Sequence, residues 1–172
     1  MDIFSHGLWA GAAAHAVNLK TKTKVSVLKT FGWGMFPDLF SFTIAFVWML
    51  VAGVRFDAKN AEPFGGNGHF ISQLTSTLYD LSHSLIIFCI VFGLVWFIAK
   101  RPIWEMGGWL LHMIIDVPTH SYAFYPTPIL WPLSEWKFNG FSWGQPWFMV
   151  LDIAALSIVY LIIWYTYQQK KK

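Results

Sequence analysis

Long apolar runs alternate along the chain with short basic or Gly/Pro-rich connections. The run 31–54 is apolar throughout apart from Asp38. At about 1.5 Å of rise per residue it is long enough to cross a hydrocarbon core of about 30 Å. The run 71–99 opens mixed, as TSTLYDLSHS, then turns fully apolar and stops only at Lys100-Arg101-Pro102, so it predicts a second long helix. A third, 147–167, is closed by the terminal lysines. Two shorter helices complete the pattern. One, 3–19, is dense in small residues, with Gly7 and Gly11 spaced for the close approach of a neighbour. The other, 103–117, is expected to stop near Asp116, because Pro118 lacks a backbone donor and disfavours helix at its predecessor. The segment 118–146 is too apolar for a solvated linker and too broken by Pro and Gly for a helix, which predicts a lid-like loop over the outer side. The expected architecture is all-α: a polytopic membrane helical bundle of about five helices, three long and two short. It forms a single integral membrane domain over 1–172, with no internal repeat and no soluble second domain.

Composition agrees with that pattern. The chain is 56% hydrophobic and 12% charged, more apolar than one water-soluble core of this size can hide. Aromatic residues make up 19%, including 11 Trp, enough to furnish belts at both membrane interfaces. The net charge is only +3, and Lys20, Lys22, Lys24, Lys29 and Lys170 to Lys172 form short clusters. These read as topology signals and not as a nucleic-acid surface. If the chain crosses at each helix, the lysine loop, Lys100-Arg101 and the C-terminal lysines all fall on one side, which predicts a cytoplasmic C-terminus. No basic leader precedes the first apolar stretch, so no cleaved signal peptide is expected. Cys89 is the one cysteine and rules out an internal disulfide.

Against this apolar background stand His6, Asp38, Asp80, His83, His112, Asp116 and His120, each in or beside a predicted helix. Ionisable groups at such depth are costly unless paired, neutralised or bound to a metal, so each is a functional candidate. His112 and Asp116 are four apart and share a helix face, a spacing that can hold one cation between imidazole and carboxylate. His120 follows the Pro118 break and can fold back to the same point. Counting rise from the basic ends puts Asp38 and His112 roughly 15 Å deep and His83 roughly 25 Å deep. Four helices then offer ligand-type groups to the outer half of the bilayer. His15 is half a turn out of phase with His6, which favours His6. Asp38 follows Pro37, and a helix starting there would make it a shallow N-terminal carboxylate. His69 reads as a solvated loop residue.

These residues resemble the membrane-bound metal-dependent hydrolases, also described as LexA-binding, inner-membrane-associated hydrolases. The similar pieces are His6, Gly34-Met35-Phe36-Pro37-Asp38-Leu39, Ser82-His83-Ser84-Leu85, Leu111-His112 with Asp116 and His120, and Thr127-Pro128 through Pro132-Leu133-Ser134. They run in the family's order over most of the chain. Many members carry His-Arg-Gly where this chain has Leu78-Tyr79-Asp80. The resemblance implies a bacterial inner-membrane protein and metal-dependent hydrolysis. The hydrolase label rests partly on a likeness of the His-x-x-x-Asp pattern to zinc-dependent phospholipases.

The leading expectation is a divalent metal, zinc with manganese or iron as alternatives, held by members of His6, Asp38, His83, His112, Asp116 and His120. Asp80 or Asp116 would take the proton from an activated water, and Tyr125 would stand near the leaving group of a phosphoester or lipid-like substrate. One alternative is a non-catalytic membrane partner or assembly protein whose polar groups only join helices. Another is a haem-binding electron carrier, since histidines on facing helices are common axial ligands.

Overall fold

The computed structural model describes residues 1–53 and 70–170. His69, Lys171 and Lys172, discussed above, lie outside the described residues. Among the described residues six α-helices form and no strand does. They are α1 (Ile3–Lys20), α2 (Val27–Ala52), α3 (Phe70–Ser82), α4 (Leu85–Ala99), α5 (Gly107–Thr119) and α6 (Pro146–Gln169), with a 3-10 turn at Trp104–Met106. Side-chain caps set several of the starts. Asp2 accepts from the backbone N–H of Phe4 and Ser5, Ser26 from Lys29, and Ser84 from Ile87.

Helix α2 is the hub and packs against α1, α3 and α5. Small residues make this possible. A Cβ added at Gly34 would stand 2.6 Å from Ala10 Cβ and 2.7 Å from the His6 carbonyl oxygen, so α1 crosses α2 at backbone contact. A Cβ at Gly108 would collide with the Thr30 carbonyl oxygen, and α5 meets α2 on the same side. The parallel stack of Trp33 on Trp109, with centroids 5.9 Å apart, closes that seam.

Two sequence expectations are corrected. The stretch 71–99 is not one helix: α3 and α4 meet at a break and bend by 63°. Ser84 caps α4 instead of continuing α3, and the loop after α5 docks into the break through Leu85 N–H to the Ile129 carbonyl at 3.0 Å. The expected helix 103–117 is a 3-10 turn followed by α5, which runs past Asp116 to Thr119 with Pro118 in its last turn. There the missing donor of proline removes only one terminal bond. The run 31–54 does form one helix: α2 begins at Val27, ten residues before Pro37, so Asp38 is mid-helix and buried, and the alternative of a helix start at Pro37 falls.

Helices α2 and α6 are long and apolar enough to cross a membrane, and the bent α3–α4 pair is a third candidate. Length and composition support two or three crossings instead of five. The basic loop and the C-terminal end lie together, since Lys170 Nζ donates to the Leu19 carbonyl at 3.2 Å. Helix α6 is mostly exposed but is tied to α1, where Ser5 Oγ and Trp9 Nε1 donate to Asp152 at 2.7 and 2.8 Å. The aromatic loop is anchored: Gly140, Phe141 and Trp143 donate backbone N–H groups to the carbonyls of His120, Pro118 and Thr119 at 2.9 to 3.1 Å.

Candidate metal centre

Each ligand-type side chain reaches the centre of the bundle by a different local device. Pro37 has no N–H for the Trp33 carbonyl and perturbs the helical ladder just before Asp38. The neighbouring Gly34 carbonyl accepts from His112 Nδ1 at 2.7 Å. His83 sits in the break between α3 and α4, where its side chain leaves both helix axes. His112 and Asp116 occupy successive turns on the inner face of α5.

Asp38, His83, His112 and Asp116, all buried, each offer one atom to a group whose members lie within 4.8 Å of one another. His83 Nε2 is 3.1 Å from His112 Nε2, 3.5 Å from Asp116 Oδ2 and 3.6 Å from Asp38 Oδ1. His112 Nε2 is 3.0 Å from Asp116 Oδ2 and 3.7 Å from Asp38 Oδ1. Four ligands at bond lengths of about 2.0 to 2.1 Å around a tetrahedral cation stand roughly 3.3 to 3.4 Å from one another. The five separations bracket that edge length.

The outer contacts fix which nitrogen faces inward. His112 turns Nδ1 to a backbone carbonyl, and His83 Nδ1 lies 3.1 Å from the Tyr79 carbonyl and 2.9 Å from Ser82 Oγ. With Nδ1 as donor, the Nε2 lone pair of each ring is left for the centre, as in most histidine-ligated metals. Two Nε2 lone pairs at 3.1 Å repel unless a cation or proton lies between them. Asp116 Oδ2 has no hydrogen-bond donor and is buried, a costly arrangement for a carboxylate. This donor set fits a divalent cation.

The remaining candidates fall in two groups. His6 Nε2 and His120 Nε2 approach the other carboxylate oxygen, Asp116 Oδ1, at 2.8 and 3.4 Å. The Met1 amino nitrogen is 2.8 Å from the same oxygen. Asp80 is outside the four-ligand group, half-buried, with Lys137 as a charged neighbour. Tyr125 takes part through its main chain: its carbonyl accepts from His120 Nδ1 and from the Tyr79 hydroxyl, both at 2.8 Å. Its φ of 42° is a left-handed conformation, rare for a bulky residue, and it aims that carbonyl inward. Burial pushes its phenol above the ordinary range, and Ser76 stands beside the hydroxyl. His15 pairs with Tyr167 at 3.3 Å instead of joining the centre.

Sequence reading missed the carbonyls of Gly34 and Tyr125, because a backbone acceptor leaves no mark on residue type. Tyr79, one helical turn before His83, was visible as a partner by spacing. Depth counting set His83 near the level of Asp116, and its Nε2 lies 3.5 Å from Asp116 Oδ2 and 3.1 Å from His112 Nε2.

An apolar cavity of about 330 Å³ opens beside the centre. Phe4, Phe42, Phe46, Phe124 and Trp143 line it, and Asp38 and His120 stand on its wall. No family model, no curated protein and no solved structure matches the chain.

Proposed function

We propose that the chain is a metal-dependent hydrolase of the membrane, acting on a phosphoester in a lipid-like molecule. The observation that carries this reading is the buried group of two imidazoles and two carboxylates whose ligand atoms lie within 4.8 Å of one another, with Asp116 Oδ2 lacking a donor. A set of N and O ligands without thiolate suits zinc, with manganese or iron as alternatives. A divalent cation held there lowers the pKa of a water and polarises a phosphoryl oxygen. Asp38 borders both the ligand group and the cavity, so its free oxygen is the group to accept the water's proton. Hydrolysis joins the water oxygen to phosphorus, breaks the ester P–O bond and returns a proton to the departing alcohol. The aromatic cavity suits a hydrocarbon tail next to that bond. The Pro-Asp, Ser-His-Ser and His-x-x-x-Asp pieces, similar to those of membrane-bound metal-dependent hydrolases, support the same chemistry.

A haem fits less well. A macrocycle needs its axial histidines on opposite faces, yet His83 and His112 Nε2 are 3.1 Å apart with two carboxylates at the same point.

The test is the metal content of the detergent-purified chain, together with hydrolysis of a phospholipid substrate. The parent should carry tightly bound metal and release product. His112→Ala and Asp116→Ala should lose both by at least tenfold while eluting as the parent does. A parent free of metal after growth and purification in zinc and manganese would end the proposal and leave the non-catalytic partner alternative.

A further inference from the structure

Asp116 is used twice. Its Oδ2 faces His83 and His112, and its Oδ1 faces away from them toward α1 and the end of α5. Around Oδ1 stands a second set of nitrogen donors that the four-ligand group does not employ. His6 is 1% exposed, and neither of its ring nitrogens has a hydrogen-bond partner. Its Nε2 is only 2.8 Å from Oδ1 but is not aligned for an N–H to point at that oxygen. A buried imidazole left in this state is destabilising unless something else engages it.

His120 repeats the arrangement of the inner histidines. Its Nδ1 donates to the Tyr125 carbonyl, which turns the Nε2 lone pair toward Oδ1 at 3.4 Å. The Met1 ammonium lies 3.2 Å from that Nε2 and 2.8 Å from Oδ1, so it neutralises Oδ1 as it stands and must swing aside for a second cation to bind there. His6 also stacks face to face on His112, with centroids 3.6 Å apart. One imidazole is thereby assigned to each side of the carboxylate.

We infer that Asp116 bridges two divalent cations, one on Oδ2 with Asp38, His83 and His112, and a second on Oδ1 with His6 and His120. This deepens the proposed function and rests on it. Carboxylate-bridged pairs about 3.5 to 4 Å apart recur in hydrolases of phosphoesters, where the two ions stabilise the attacking and leaving oxygens. The cavity wall bears one residue from each set, Asp38 from the first and His120 from the second.

Metal stoichiometry and electron paramagnetic resonance test the inference on the full chain in detergent, loaded with Mn²⁺ and desalted. The parent should hold two ions and give an exchange-coupled signal. His6→Gln and His120→Ala should each hold one ion with an uncoupled signal. One uncoupled ion in the parent, lost in His112→Ala, overturns the second site and leaves the hydrolase proposal standing. No ion overturns both. Two ions retained in both outer variants overturn the assignment to His6 and His120. The coupling in the parent needs no variant, so a misfolded substitution leaves the decision intact.

Discussion

The buried histidines of the centre turn Nε2 inward and are held through Nδ1. His120, on the outer side of Asp116, follows the same rule and is held by Tyr79 and Tyr125. The Tyr79 hydroxyl lies 3.2 Å from His120 Nδ1 and donates to the same Tyr125 carbonyl that His120 uses. Tyr79→Phe keeps the ring that stacks on His83 at 3.8 Å and removes only the hydroxyl. Metal affinity should fall by roughly tenfold, the lower end of the range for such outer contacts. Titration with a competing chelator measures it, and an unchanged affinity would show that the carbonyl is fixed by the loop alone. At this scale the sequence was readable where chemistry resides in side chains. Asp38, His83, His112 and Asp116 stand out as ionisable groups in apolar runs, and they are the four that gather. The carbonyls that orient them belong to Gly34, Tyr79 and Tyr125, and their role follows from backbone direction, which only the folded chain defines.

Elements are where the pattern of polar and apolar positions was least sufficient. Hydropathy sees 71–99 as one continuous run, but Ser84 has a choice between continuing a helix and capping a new one. The docking of Ile129 and Trp131 against the break decides it, through bonds to Leu85 N–H and Ser84 Oγ. Proline gave the opposite difficulty. Pro37 looks like a helix start and is an interior residue, and the Ser41 and Ser82 hydroxyls donate to its carbonyl at 2.8 and 3.3 Å and hold the two helices together. Pro37→Ala would restore an N–H to the Trp33 carbonyl and remove a clash that disrupts helices by about 3 kcal/mol in ordinary settings. The expected outcome is a higher melting temperature together with weaker metal binding, since Asp38 moves with the straightened turn. A variant that melts higher and binds metal as tightly as the parent would show that Asp38 does not depend on the proline.

At the scale of the molecule, two helices, or three counting the bent pair, are long and apolar enough to cross a membrane, and the basic segments lie at one end. The Lys170 contact with Leu19 places the C-terminal end beside the lysine loop, and Glu105, four residues beyond Arg101, accepts from Ser26 N–H at 3.1 Å. Three positive segments thus share one end, and the side the positive-inside rule leads one to expect for that end is the cytoplasm. A fluorescent protein fused after Lys172 should fold and fluoresce, whereas alkaline phosphatase at the same place should stay inactive; the reverse pair of results would invert the orientation. Segments 3–19 and 103–117, expected as the two short helices, fold as α1 and α5 and pack against α2, while the three long runs supply the candidate spans.

The buried carboxylates also have a history during synthesis. Asp38 and Asp116 are separated by much of the chain, and at roughly 5 to 20 residues per second Asp116 is made about 4 to 16 seconds after Asp38. Over that interval α2 exists before its partners His112 and Asp116 on α5. A carboxylate without those partners is expensive to bury, so the close packing of α2 around Asp38 is a late event that waits for α5.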